Sequence, residues 1–185
     1  MATTKLVTAE DLLLMDQDKG RYELIEGELR ERPPAGEEHG EIGLGIAARI
    51  WLHVREHQLG TVYNSETGFV LARDPDVLVA PDVAFIRSGR LPEDRDKQKF
   101  IETAPDLFDE GVSPSEQPGD ITNKVQRYLD ADVQLVWIVY PRQRTVAVFK
   151  ADRTWDNLQS DAELDGGDVL PGFKLPLAEL FGEKS

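Results

Sequence analysis

Ile42, Ile46, Ile50 and Val54 recur at four-residue intervals, with Ala47 and Trp51 beside them. This spacing predicts one long amphipathic helix over residues 38–57, despite Gly43 and Gly45, and its apolar stripe requires a flat partner. The rest of the chain offers mainly short strands. Residues 22–30 alternate on both sides of Glu26-Gly27, a β-hairpin pattern closed by Pro33-Pro34. Residues 61–65, 68–71 and a segment beginning near Asp82 read as strands, as do 107–112, 135–139 and 145–149. Thr8 reads as the cap of a short helix ending near Gly20, and a third helix is expected over 120–131. The order of elements implies an α/β or α+β domain, a mixed central sheet with helices on its faces.

At 185 residues the chain fits a single domain, 1–185, with a core over about 8–150 and a C-terminal extension over about 151–185. Residues 152–168 hold six acids and one base, a net of −5, and read as loops with a weak strand. The absence of cysteine excludes disulfides, thiolate zinc sites and cysteine nucleophiles. No apolar run reaches the length of a membrane span, and residues 1–20 lack the pattern of a signal peptide, so a cytoplasmic protein is expected. Thirty-five acids against 21 bases give a net charge of −14, which argues against a passive nucleic-acid binder.

Four charged residues stand apart from ordinary surface charge: Asp82 after Pro81 at a strand start, Glu110 within a strand, Lys124 on the next helix, and Glu23 in the first hairpin. An Asp and a Glu on neighbouring strands can share a cleft, where hard oxygen ligands suit Mg²⁺ or Mn²⁺. A nearby lysine can orient or help deprotonate an attacking water. Each residue also has a plainer reading, as a solvated or ion-paired carboxylate, or a lysine snorkelling from an amphipathic helix.

These pieces carry a family resemblance. Tyr22-Glu23-Leu24-Ile25-Glu26-Gly27-Glu28-Leu29, Glu38-His39, Pro81-Asp82-Val83-Ala84-Phe85, and Pro105-Asp106-Leu107 running to Glu110 and Ser113-Pro114-Ser115 occur in that order. Asp120, Lys124 and Tyr128 at four-residue spacing follow, then Val136-Trp137-Ile138-Val139 and Pro141. The ordered set resembles the Uma-two family of restriction-endonuclease-like proteins, within the PD-(D/E)xK nuclease superfamily. The resemblance implies a metal-dependent endonuclease acting on DNA, with Asp82 and Glu110 as ligands of Mg²⁺ or Mn²⁺. It implies that the lysine has moved from the position of Val112 to Lys124, and that Glu23 is an accessory acid. His39 reads as a further site residue or, more simply, as an exposed residue at a helix start, and a homodimer is expected.

The chain departs from the family pattern at Asp109-Glu110-Gly111, where apolar neighbours are usual. In a regular strand Asp109 and Gly111 share the face opposite Glu110, which places a carboxylate and a missing side chain toward the core. Either a bulge at Gly111 shifts the register so that Asp109 faces the metal, or the strand is partly exposed and the site weakened. Asp132 stands where a helix-ending glycine is usual, and Tyr140 where an Asp commonly precedes Pro141. A catalytically degenerate module that keeps the fold for structure or interaction is the alternative function. Hydrolysis of a small phosphorylated molecule is a third. Arg87, Arg90, Arg95, Lys97 and Lys99 against Glu93, Asp94 and Asp96 leave +2 on a loop that either flanks the cleft or is simply solvated.

Overall fold

A computed structural model of the chain describes residues 6–15, 20–114 and 116–182. Residues 16–19 of the first predicted helix, and Ser115, lie outside the described residues. Helix α1 (Ala9–Leu13) begins with a reciprocal cap: Asp11 N–H donates to Thr8 Oγ1 at 3.1 Å and Thr8 N–H donates to Asp11 Oδ2 at 3.2 Å. Strands β1 (Arg21–Ile25) and β2 (Glu28–Arg32) form the expected hairpin. Its two turn residues have φ of 54° at Glu26 and 77° at Gly27, the left-handed pair that a two-residue hairpin loop needs.

Helix α2 (Glu37–Glu56) carries the isoleucine stripe. Strands β3 (Gly60–Asn64), β4 (Phe69–Ala72), β5 (Val77–Val79), β6 (Val83–Arg87) and β7 (Leu107–Gly111) follow. Then come helix α3 (Pro118–Asp130), strands β8 (Leu135–Tyr140), β9 (Thr145–Lys150), β10 (Trp155–Leu158), β11 (Glu163–Asp165) and β12 (Lys174–Pro176), and helix α4 (Leu177–Phe181). Asp132, just after α3, adopts the left-handed conformation usual for glycine, with φ of 65°.

The central sheet has six strands in the order β10-β9-β8-β7-β6-β3, all neighbours antiparallel except β7 and β8. A four-stranded antiparallel sheet, β2-β1-β5-β4, and the pair β11-β12 complete the domain. Because β8 is buried on both faces, its residues divide by alternation. Leu135, Trp137 and Val139 join α2, whereas Val136 and Ile138 join Ile121, Val125 and Tyr128 of α3. The molecule is thus a mixed α+β fold, a central mixed sheet between α2 on one face and α3 with the smaller sheet on the other. Among the described residues no helix is long and apolar enough to cross a membrane.

The acidic C-terminal stretch is more structured than its composition suggests. Leu164, Val169, Leu170, Phe173, Leu175 and Leu177 all pack into the α2 side of the core. Their acidic neighbours point outward, as in β11, where buried Leu164 sits between exposed Glu163 and Asp165. Helix α2 is therefore covered by the sheet and by residues far along the chain.

Ile50 is fully buried at the centre of the α2 stripe, whereas Leu52 is 56% exposed two residues away. Ile50→Ala is expected to lower unfolding free energy by about 2–5 kcal/mol, and Leu52→Ala by less than about 0.5 kcal/mol, in urea titrations.

Candidate active site

The site forms where β6 begins and β7 ends. These strands pair Phe85 with Leu107, Ala84 with Phe108 and Val83 with Asp109, so one step further Asp82 stands opposite Glu110. Strand β7 runs in unbroken parallel register along β8, from Leu107 beside Leu135 to Gly111 beside Val139. No bulge intervenes, and neither Asp109 nor Glu110 is exposed by more than 1%. Glu110 thus points to the α3 side with Phe108, and Asp109 to the α2 side with Leu107.

A carboxylate buried this deeply needs donors on every side. Glu110 receives Tyr128 Oη at 2.5 Å on Oε1, and Lys124 Nζ at 3.3 Å on Oε2. Both donors project from α3 one turn apart. Burial pushes Glu110 above the usual carboxylate range, and the charges of Lys124 and Arg32 offset part of that rise. Burial and the Glu110 charge push the Tyr128 hydroxyl well up, so it stays a donor. For Lys124, burial works against the charge, but Glu110 and Glu116 more than compensate and raise its pKa. Its second partner, Glu116 Oε1, lies at 3.0 Å.

Asp82 is held from the opposite side. Its Oδ2 accepts the Gly111 backbone N–H at 2.8 Å and lies 3.0 Å from His39 Nε2. His39, expected to be exposed, instead has a side chain only 16% accessible and turns inward from the first turn of α2. The reason lies at Gly111: a Cβ there would stand 2.7 Å from His39 Cε1, so the missing side chain is the space the imidazole fills. Burial opposes ionisation of Asp82, but the His39 and Gly111 hydrogen bonds prevail and lower its pKa. The same hydrogen bond raises the pKa of His39. Asp109 has no such help. Its Oδ1 is buried without a hydrogen-bond partner, and burial followed by the charges of Asp82 and Glu110 pushes it well above the ordinary Asp range.

Glu23 lies at the edge of this cluster. Its Oε1 accepts the Ala80 backbone N–H and Arg32 Nη1, both at 2.9 Å. Arg32 was not legible as a site residue, because it ends a strand whose other residues are all exposed. Its guanidinium also donates to the Ala80 carbonyl, and its Nη2 lies 3.5 Å from Glu110 Oε2 and 3.9 Å from Asp82 Oδ1. Glu23, Asp82, Glu110 and Lys124 therefore come together, joined by His39, Arg32, Glu116 and Tyr128. Asp120, on the same helical stripe as Lys124, remains exposed.

The donor set can be compared with a divalent cation. Tyr128 engages Glu110 Oε1, and the Gly111 amide and His39 engage Asp82 Oδ2, while Asp82 Oδ1 and Glu110 Oε2, the latter also 3.3 Å from Lys124 Nζ, both face one positively charged nitrogen, Arg32 Nη2. Two hard oxygens converging on a cationic position fit Mg²⁺ or Mn²⁺, which commonly take one or two carboxylates plus waters and phosphate oxygens. Among the described residues no group of three or more His, Asp or Glu side chains is arranged to hold a metal ion, so the fit rests on this pair of carboxylates. The basic loop adds less than its composition suggests: Arg90 Nη1 lies 2.9 Å from buried Asp106 Oδ2, and Arg87 Nε lies 3.6 Å from its Oδ1.

His39 yields a pH prediction. Its folded pKa lies above the unfolded value, so its contribution to stability is fully present below about pH 6 and is lost as pH rises through the folded value. In chelator-containing buffer, the melting-temperature advantage of the wild type over His39→Gln should be largest at mildly acidic pH and shrink toward alkaline pH. Asp109 is present in both proteins and cancels from the difference. An advantage that grows with pH would contradict this assignment.

The Uma2 family, described as putative restriction endonuclease, matches residues 9–178. Similar in structure is a putative nuclease belonging to DUF820 from Anabaena variabilis, known from a crystal structure. It has a TM-score of 0.80 and 20% sequence identity, over 95% of this chain and 97% of that one. No curated protein matches the sequence. With the family pattern extending from α1 to α4, this chain belongs to the Uma2 family of putative restriction endonucleases.

Proposed function

We propose that the chain is a divalent-metal-dependent endonuclease that hydrolyses DNA phosphodiester bonds at the ends of β6 and β7. The observation that carries this reading is the pairing of Asp82 with Glu110, which turn Asp82 Oδ1 and Glu110 Oε2 toward one cationic position, with Lys124 beside Glu110 Oε2. Asp82 and Glu110 would hold Mg²⁺ or Mn²⁺. When bound, such an ion neutralises charge on the scissile phosphate and makes water more acidic.

The protein's own residues divide the remaining work. Tyr128 fixes Glu110 through Oε1, and His39 with the Gly111 amide fixes Asp82 through Oδ2. Lys124, with its pKa raised, keeps its proton near neutral pH. It therefore serves to orient the attacking water and offset charge on the phosphate rather than to remove a proton. Glu23 acts as an accessory acid by anchoring Arg32 and the Ala80 amide two residues before Asp82.

The net charge of −14 bears on substrate binding. With Arg87 and Arg90 engaged by Asp106, DNA affinity rests on contacts in the cleft and is modest in the absence of the ion.

Plasmid nicking in Mg²⁺ or Mn²⁺ tests the reading. Asp82→Asn and Glu110→Gln are expected to abolish nicking, and Lys124→Met to slow it by roughly 10²–10³-fold, with each variant still folded by circular dichroism. Full activity in Asp82→Asn would reject the assignment. Complete inactivity of the wild type with both metals on supercoiled, linear and single-stranded DNA would favour the non-catalytic module.

A further inference from the structure

We propose that Arg32 is a resident cation of the site, holding Glu23, Asp82 and Glu110 together in the metal-free protein and withdrawing from Asp82 and Glu110 when a divalent ion binds. This inference rests on the metal-site reading above and adds a role for a residue outside the expected motif. One guanidinium meets all three carboxylates through its two terminal nitrogens. The two halves of that guanidinium are held very differently.

Nη1 is anchored. It donates to Glu23 Oε1 at 2.9 Å and to the Ala80 carbonyl, and Glu23 is itself fixed by the Ala80 amide. Nη2 is not. It is shared between two carboxylates at 3.5 and 3.9 Å, too far for the paired, parallel hydrogen bonds by which arginine grips a single carboxylate. Its attraction to Asp82 and Glu110 is therefore mainly that of a nearby charge, the part of the interaction that a divalent ion between the same oxygens would replace. A guanidinium cannot remain in that position beside a dication, because it keeps its own charge at every accessible pH.

The surroundings allow the exchange. If Nη2 swings away, Nη1 keeps Glu23 and the Ala80 carbonyl as partners. The Arg32 side chain is about a quarter exposed, which leaves room toward solvent. Lys124 differs in kind: with Glu116 at 3.0 Å, its ammonium retains a close partner of its own beside Glu110. Lys124 is thus a fixed part of the site and Arg32 an exchangeable one.

The test measures metal binding rather than cleavage. In calorimetric titration with MnCl₂ alone, folded Arg32→Met is expected to bind Mn²⁺ at least about tenfold more tightly than wild type, an advantage of about 1.4 kcal/mol. It should melt at a lower temperature in chelator and regain more of that loss on adding Mn²⁺. Should Arg32→Met fail to fold, the wild type supplies a second readout. Its Arg32 side-chain Nε–H resonance, assigned by its absence in Arg32→Lys, is expected to shift on titration with Mg²⁺.

Equal or weaker Mn²⁺ affinity in folded Arg32→Met, or an unmoved Arg32 resonance at saturating Mg²⁺, would overturn this proposal while leaving the metal site intact. Absence of Mn²⁺ binding in both proteins, or binding undiminished by Asp82→Asn, would instead reject the metal-site reading and this proposal with it.

Discussion

A carboxylate at the end of a central strand, walled off from water, dictates much of what surrounds it. Glu110 is fixed in place by the pleat of β7, which cannot turn it outward without turning Asp109 and Leu107 the wrong way. The surrounding elements must therefore come to it. Helix α3 delivers an ammonium and a hydroxyl, and the N-terminal hairpin delivers a guanidinium. The packing of α3 over the sheet and the docking of the hairpin against β5 thus have an electrostatic purpose beside the apolar one. The same buried charge that would weaken an ordinary core here gathers three donor side chains from α3 and the hairpin around one strand end.

Much of this arrangement is legible along the chain, because regular periodicities report which face of an element is buried. The isoleucine stripe of α2, the Glu26-Gly27 hairpin and the apolar β8 are read directly, and so is the convergence of Asp82, Glu110 and Lys124 as a family pattern. Contacts that cross between distant elements are not legible in the same way. Nothing local marks His39 as inward-facing, since the space it fills is created by a glycine 72 positions later (111 − 39). Arg32 is hidden for a related reason: strand alternation assigns it to an exposed ribbon, and only the three-dimensional approach of β2 to β7 turns its side chain to the carboxylates.

The acidic C-terminal stretch illustrates a different limit. Composition averages over both faces of a strand, so six acids conceal the apolar residues that lie between and beyond them. The same averaging inflates the basic loop, where two of the arginines serve a buried aspartate and stay with it. Net charge describes how the whole molecule meets a polyanion from a distance, whereas the cleft is governed by a handful of fixed pairs whose sum differs from that of the surface.

The burial of α2 beneath residues 164–177 has a temporal side. A chain made from its N-terminus exposes this helix, and with it His39, long before Phe173 and Leu177 exist to cover the apolar stripe. The sheet can begin to pair earlier, since β6 through β9 lie within residues 83–150. Closure of the α2 side therefore waits on residues made well after the strands that flank Asp82 and carry Glu110. A nascent chain would carry both acids of the strand ends before it carries the residues that complete the core around α2, and that apolar stripe is covered later.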